Sequence, residues 1–281
     1  MLLDGKAFSE KVKSQLKNKV DKLRKNGIVP ALAVIIVGDD PASKIYVKNK
    51  KKACEEIGIY SAEYAFKSDI TQEELLEFIS DLNGNKEIHG ILTQLPLPKH
   101  IDPLIVAESI SPAKDVDCFN EINIGKISSG RAKIFPCTPA GIIELLKENN
   151  IKIEGKACTI VGRSNIVGKP LSLMLLNENA TITVCHSKTE NLKAFCKQAD
   201  ILISAVGRPG LITEDMVKED SIVVDVGINR LSSGKLCGDV DFDKIIGKAK
   251  FITPVPGGVG PMTIAMLMKN LVILAEEFTK R

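Results

Sequence analysis

The stretch from Ala157 to Pro170 constrains the fold of this 281-residue chain more than any other. Cys158 to Val161 reads as a short apolar strand, Gly162 opens a turn, and a helix begins near Gly168. Pro170 suits a first helical turn, and Leu171 to Leu176 supply an apolar face behind it. Strand, glycine turn and helix start converge backbone N–H groups and the positive end of a helix dipole on one point. Such a point suits a phosphate.

Three readings of the turn compete. The Gly-x-x-x-x-Gly-Lys-Ser/Thr loop of nucleotide hydrolases fails, because five residues separate Gly162 from Gly168 and Pro170 replaces the metal-binding hydroxyl after Lys169. The dinucleotide fingerprint Gly-x-Gly-x-x-Gly fits with Ser164 at its middle glycine, and an ordinary strand-to-helix connection would look alike. The sequel favours a dinucleotide. Thr181 to Cys185 reads as the second strand, whose end in such folds faces the adenine ribose, where a carboxylate marks NAD and a basic side chain marks NADP. Here His186, Ser187 and Lys188 come before any carboxylate, and Arg163 stands in the first turn. Lys188 alone reads as a solvated loop residue. Arg163 and Ser187 together are donors for a dianionic 2′-phosphate, so the expected cofactor is NADP.

The remaining elements alternate. Asp4 to Asn26 is an amphipathic helix with Phe8, Val12, Leu16, Val20 and Leu23 on one stripe and Gly27 ending it. Ala31 to Val37 is an apolar run expected of a strand covered on both faces. Asp40 and Pro41 open a helix that runs to Gly58. A strand near Glu63 to Phe66, a helix from Gln72 to Leu82 capped by Thr71 or Asp69, and a strand from Ile88 to Thr93 follow. Ser111 to Lys133 is loop-like and marks a domain boundary. Beyond a helix from Thr138 to Asn149, strands are expected near 158–161, 181–185, 201–205, 222–226 and 250–253. The glycine-rich run Pro254 to Pro261 then introduces the last helix, either as a tight turn or as backbone that approaches a ligand. This alternation predicts an α/β protein of two domains with parallel sheets.

Bulk properties exclude other classes. The net charge is only +3 and lysines are spread along the chain except at Lys48 and Lys50 to Lys52, so no nucleic-acid footprint is expected. The seven cysteines form no Cys-x-x-Cys pair, and with three scattered histidines they make neither a disulfide framework nor a metal site. Free thiols in a reducing cytoplasm are the expectation. The N-terminal residues lack an apolar leader pattern. Met262 to Phe278 is broken by Lys269, Asn270, Glu276 and Glu277 and reads as a packed helix, so no membrane partner is expected.

One residue breaks the pattern of the first half. On the helix from Pro41, Ser43, Tyr46, Lys50, Ala53 and Ile57 fall along one side, and Lys44, Lys48, Lys51 and Lys52 on the other. Lys50 therefore sits in the middle of the stripe that meets the core or a cleft. It either snorkels to water or is held for proton transfer. Tyr46 one turn earlier on the same side favours the second reading. Tyr-x-x-x-Lys is also the pair of short-chain dehydrogenases, but there it follows the dinucleotide turn, whereas here it precedes Gly162 by over a hundred residues.

Six segments in order resemble the bifunctional methylenetetrahydrofolate dehydrogenase/methenyltetrahydrofolate cyclohydrolase family. They are Ser43 to Lys50, Gln94 to Pro98, Lys114 to Asp117, Pro136 to Pro139, Gly162 to Gly168 and Pro254 to Thr263. The resemblance spans nearly the whole chain. It implies a folate-binding α/β domain over 1–118 and 266–281 with a parallel-sheet core, and a Rossmann-like NADP domain over 119–265. The folate would lie between them, the last helix would return to the first domain, and the protein would be a homodimer.

The resemblance also implies roles for particular residues. Lys50 would be the catalytic lysine, Gln94 its hydrogen-bond partner, Tyr46 a residue that orients the folate, and Asp117 the grip on the pterin. Ser43, Pro256, Gly257 and Gly258 would add substrate contacts. Gly162, Arg163, Ser164, Ile166, Gly168, Ser187 and Ile228 would bind the cofactor. One residue departs from the pattern: the family commonly has glycine after the second aspartate, and Cys118 stands here. If that position needs positive φ, cysteine strains the loop that holds Asp117.

The implied chemistry fits these side chains. Oxidising an N–CH2–N bridge moves a hydride and no proton at the reacting carbon, so it mostly needs alignment. Hydrolysing the resulting methenyl cation takes a proton from water and gives one to a ring nitrogen, which calls for a general acid/base. Lys50 is the strong candidate.

Overall fold

The computed structural model describes residues 1–278. The chain forms two compact units, one of residues 11–135 with the chain from 264 onward, the other of residues 1–10 with 136–263. These divisions differ from those expected at 118/119 and 265/266. Residues 119–135 stay with the first unit because Cys118 Sγ meets the Ile134 carbonyl at 3.5 Å and the Asn270 amide donates to the Val116 and Phe135 carbonyls at 2.9 and 2.7 Å. Residues 1–10 join the second because Leu3 N donates to Ile252 O and Lys6 N to Gly257 O, at 2.8 and 2.9 Å.

In the first unit, the part of α1 (Gly5–Lys25) from Lys11 onward buries Val12, Leu16, Val20 and Leu23 of the stripe read from its sequence, while Phe8, the fifth residue of that stripe, is only half-buried. Strand β1 (Ala31–Val37) is buried at all seven residues, as a central parallel strand requires. Helix α2 (Pro41–Ile57) is capped by Asp40, whose carboxylate accepts from Ser43 N at 2.7 Å, and ends on Gly58 at φ +82°. Strand β2 (Tyr60–Phe66) pairs parallel to β1 from Ala31↔Tyr60 onward and lies at the sheet edge. It starts three residues before the expected strand. A reciprocal Thr71–Glu74 capping box opens α3 (Gln72–Gly84). Strand β3 (Gly90–Thr93) takes the other side of β1, so the order is β2-β1-β3. The stretch expected to be loop-like carries α5 (Glu121–Ser128), just after α4 (Pro103–Ser109).

The second unit holds α6 (Cys137–Glu148), β4 (Ala157–Val161), α7 (Gly168–Asn177), β5 (Thr181–Cys185), α8 (Leu192–Gln198), β6 (Ile201–Ser204) and β7 (Ile222–Asp225). A hairpin of β8 (Asn229–Arg230) and β9 (Leu236–Cys237) precedes the single turn α9 (Phe242–Ile245) and β10 (Phe251–Ile252). The five-stranded sheet is parallel, in the order β10-β7-β6-β4-β5. The last helix, α10 (Val259–Phe278), is long and apolar enough to cross a membrane. Its stretch beyond 264 is instead core of the first unit, with Ala265, Leu267, Met268, Leu271 and Val272 buried.

Candidate active site

Strand order locates the first cluster. From β1 the chain crosses to β2 on one side and then to β3 on the other, so the carboxyl ends of β1 and β3 flank a point where the winding reverses, the usual place for a ligand in an open α/β sheet. Gln94 leaves β3 at that point and is tied down by Gln94 N to Ile35 O and by Gln94 Nε2 to Leu95 O, each 2.8 Å. Its remaining oxygen accepts from Lys50 Nζ at 2.9 Å. The most buried positions of α2 are Ser43, Val47, Ala53, Cys54 and Ile57, and at about 100° per residue Lys50 falls near the centre of their arc, in the stripe as expected. It is half-buried, and among the described residues no carboxylate pairs with it. The partner that orients its amine is therefore a neutral amide oxygen and not a carboxylate.

Ser43 sits at the same turn, buried, with its hydroxyl donating to Leu95 O at 3.5 Å. Tyr46 stands one turn before Lys50 and is 39% exposed, which leaves its ring open to a flat ligand. Asp117 belongs to a segment that runs beside β3, with a parallel bridge Ile91↔Asp115 and Ile91 N donating to Lys114 O at 2.8 Å. Asp117 lines one crevice with Thr93, Leu95 and Phe119. Thr93, which lines this crevice, carries the one buried side-chain polar atom among the described residues with no hydrogen-bond partner, its Oγ1.

Two charged neighbours of Asp117 carry the loop and were not legible in advance. Asp115 is buried and accepts from Phe119 N, Asn120 N and Asn123 Nδ2 at 3.1, 2.9 and 3.0 Å, while burial pushes its carboxyl upward in pKa. These bonds turn the chain sharply after Asp117, and Cys118 takes φ +60° at the bend. Lys114, buried with its pKa lowered by desolvation, donates to the Leu82 and Asn85 carbonyls at the end of α3, where the helix dipole favours a cation. The Lys114–Asp117 segment itself was the only sequence signal for either residue.

The second unit carries the turn expected to hold a dinucleotide. In its order β10-β7-β6-β4-β5 the winding reverses between β4 and β6, and the turn after β4 is the one that begins at Gly162. Gly162 has φ +125°, and a Cβ there would lie 2.4 Å from Ala205 O; one on Gly168 would lie 2.2 Å from Gly162 O. Only bare backbone fits, and α7 starts with no side-chain cap at Val167. Ser164 braces the turn: its hydroxyl accepts from Val167 N at 3.2 Å and its carbonyl from Lys169 N at 3.1 Å. Arg163 and Ile166 are exposed on the turn.

The register Val161↔Cys185 sets the ends of β4 and β5 side by side. Arg163 and Ser187, each two residues further on, therefore leave adjacent strand ends, and both are exposed. Ile228, 48% exposed, follows β7 on the far side of the winding reversal. Pro256, Gly257 and Gly258 form the turn into α10, with Gly257 O accepting from Lys6 N and a Cβ on Gly5 excluded by Gly258 O. A bare-backbone cradle at a helix start, with a guanidinium and a hydroxyl at the neighbouring strand end, fits a pyrophosphate and a ribose 2′-phosphate.

Known proteins agree with this geometry. Residues 3–117 match the tetrahydrofolate dehydrogenase/cyclohydrolase catalytic domain, and residues 136–279 match the NAD(P)-binding domain of the same family. The bifunctional protein FolD of Bacillus anthracis is 57% identical over 272 residues, 97% of this chain and 95% of that one. The bifunctional FolD methylenetetrahydrofolate dehydrogenase/cyclohydrolase from Campylobacter jejuni superposes with a TM-score of 0.97 at 55% identity, covering 99% of both chains. The Trypanosoma brucei enzyme complexed with NADP cofactor and inhibitor gives 0.95 at 36% identity, covering 100% of this chain and 99% of that one.

Proposed function

The chain belongs to the tetrahydrofolate dehydrogenase/cyclohydrolase family, and from that premise we propose that Lys50 is the general acid/base of its hydrolytic step. The enzyme oxidises 5,10-methylenetetrahydrofolate to the 5,10-methenyl form with NADP and hydrolyses that product to 10-formyltetrahydrofolate. The observation that carries the assignment is the 2.9 Å bond from Lys50 Nζ to Gln94 Oε1. A neutral partner orients the amine without fixing its charge, so Lys50 can take the proton of the attacking water and return one to the departing ring nitrogen.

The other roles follow from chemistry and position. Asp117, in its crevice, accepts from the N–H groups of the pterin; Tyr46 lays its ring on the folate; Ser43 holds the Leu95 turn; and Pro256, Gly257 and Gly258 present backbone to the substrate. The Gly162–Gly168 turn, with Ser164 and Ile166, holds the dinucleotide, Ile228 packs against it, and Arg163 with Ser187 binds the 2′-phosphate. What NADP supplies when bound is acceptance of the hydride. The residues of this chain contribute alignment to that step, whereas hydrolysis needs a proton carrier.

A homodimer and a cytoplasmic location belong to the same reading. Edge strand β2, with Tyr60 60% exposed, offers unpaired backbone to a second copy. The six buried free cysteines suit a reducing compartment. Light scattering at micromolar concentration tests the dimer.

Lys50→Met tests the central assignment. Cyclohydrolase activity on preformed methenyl substrate should fall by at least about 100-fold, while NADP-dependent oxidation persists at a measurable level. Equal loss of both activities in a folded variant would reject the assignment.

A further inference from the structure

The second unit contains a buried carboxylate that no role so far described uses. Asp239 is 0% exposed and follows β9. Its Oδ2 accepts from Ser204 Oγ, Val206 N and Gly207 N at 3.0, 2.9 and 3.3 Å, and its Oδ1 accepts from Arg208 N and Asn229 Nδ2 at 2.8 and 3.1 Å. Three of those donors are successive backbone N–H groups of the loop that leaves β6. Asn229 closes the loop that leaves β7 and carries Ile228. One side chain therefore ties together the two loops at the carboxyl ends of adjacent parallel strands, where a dinucleotide lies in such a sheet.

Asp225, at the end of β7, completes the arrangement. It accepts from Asp239 N, Val240 N and Gly227 N at 2.9, 2.9 and 3.0 Å, so it fixes the segment bearing Asp239 and the start of the Ile228 loop. The backbone is shaped around both carboxylates. A Cβ on Gly227 would fall 2.1 Å from Asp239 Oδ1, and one on Gly238 would fall 1.8 Å from Asp225 Oδ2. The loop held by Asp239 also touches the phosphate turn, because the carbonyl that excludes a Cβ at Gly162 is that of Ala205. Displacement of residues 205–208 would reach Gly162 directly.

We propose that Asp239, held in place by Asp225, is a positioning residue of the NADP site, fixing the loops after β6 and β7 against the Gly162 turn. It touches neither folate chemistry nor Lys50; it acts through the loops it orders. Five hydrogen bonds converge on two carboxylate oxygens, and an amide in its place would turn one oxygen into a donor facing donors. The inference rests on the NADP-dependent reading above, which the wild-type enzyme tests by its own cofactor dependence.

Asp239→Asn and Asn229→Ala should be compared with wild type in three assays: the KM for NADP, dehydrogenase kcat at saturating NADP, and cyclohydrolase activity on preformed methenyl substrate. Asp239→Asn should raise the KM for NADP by about 10-fold or more, as expected for hydrogen bonds to a charged group. Its kcat should stay within about threefold and its cyclohydrolase activity near wild type. Asn229→Ala removes a single donor and should raise the same KM about threefold at an unchanged melting temperature. A purely structural role would lower the melting temperature and both activities together. An unchanged KM for NADP in Asn229→Ala, or parallel loss of cyclohydrolase in that variant, would overturn the proposal, whether or not Asp239→Asn folds.

Discussion

The amide nitrogen of Gln94 is spent on the Leu95 carbonyl, so only its oxygen can face the Lys50 ammonium. That orientation makes the charge of residue 94 the control on Lys50. Gln94→Glu keeps shape and reach but places a carboxylate on the amine, which stabilises the ammonium by one to two orders of magnitude. At pH 7 the variant should hydrolyse methenyl substrate about 10- to 100-fold more slowly, with its rate profile moved to higher pH by a corresponding amount. Rates measured from pH 6 to 10 check this; a slower enzyme with an unmoved profile would mean that Gln94 acts on the substrate and not through Lys50.

The register of β4 and β5 makes a second expectation. Arg163 and Ser187 leave neighbouring strand ends and are exposed. Arg163→Ala with Ser187→Ala should raise the KM for NADP by about 10- to 100-fold, the scale of losing charge-assisted bonds to a dianion, and alter the KM for NAD little. Steady-state assays with both cofactors check it. A double variant that keeps its preference for NADP would place the 2′-phosphate contact elsewhere.

What was legible beforehand was whatever the chain writes locally. Asp40, Pro41 and Gly58 spell the two ends of α2, and seven consecutive apolar residues spell β1. The Gly162 turn was readable because close approach there admits no side chain. Helix α5 was missed because it is short and is started by Asn120 capping Ile122 N, with only Asn123 and Ile127 buried; it writes no periodic stripe. Strand β2 was cut short because its exposed edge carries polar residues. Asp115, Asp225 and Asp239 are invisible for a different reason. A carboxylate in a loop looks solvated in sequence, and only the fold gathers enough backbone donors around it to bury it.

Cys118 at φ +60° is a cysteine where glycine would be unstrained. Its side chain is nonetheless fully buried, and Sγ meets Ile134 O at 3.5 Å. Removing the left-handed penalty in Cys118→Gly gains about 1–2 kcal/mol, while the lost burial and the freer unfolded chain cost about the same. The variant should therefore melt close to wild type, and Cys118→Val, β-branched at positive φ, should lose more than about 2 kcal/mol. Because Asp115 holds the bend through three donors, the folate KM of Cys118→Gly should stay within about twofold of wild type. A large drop in that KM would show that the strain reaches Asp117.

Asp225 ties stability to pH in a direction opposite to that of most carboxylates. Burial, with the neighbouring Asp239 charge, raises its pKa from 3.8 to about 6, against the pull of three N–H donors. A carboxyl whose folded pKa is raised binds its proton more tightly in the native state, so its stabilising contribution is complete below the unfolded value and is lost as pH rises through about 6. The full span is worth roughly 3 kcal/mol, of which about 1 kcal/mol falls between pH 5 and pH 7.5. Asp225→Asn cannot titrate and should lack this component. Urea unfolding of both proteins at pH 5 and pH 7.5 isolates it, since the other carboxylates cancel in the difference. Wild type should lose about 1 kcal/mol relative to Asp225→Asn on going to the higher pH. A constant offset between the two would mean that Asp225 is ionised throughout this range, with its three donors outweighing its burial.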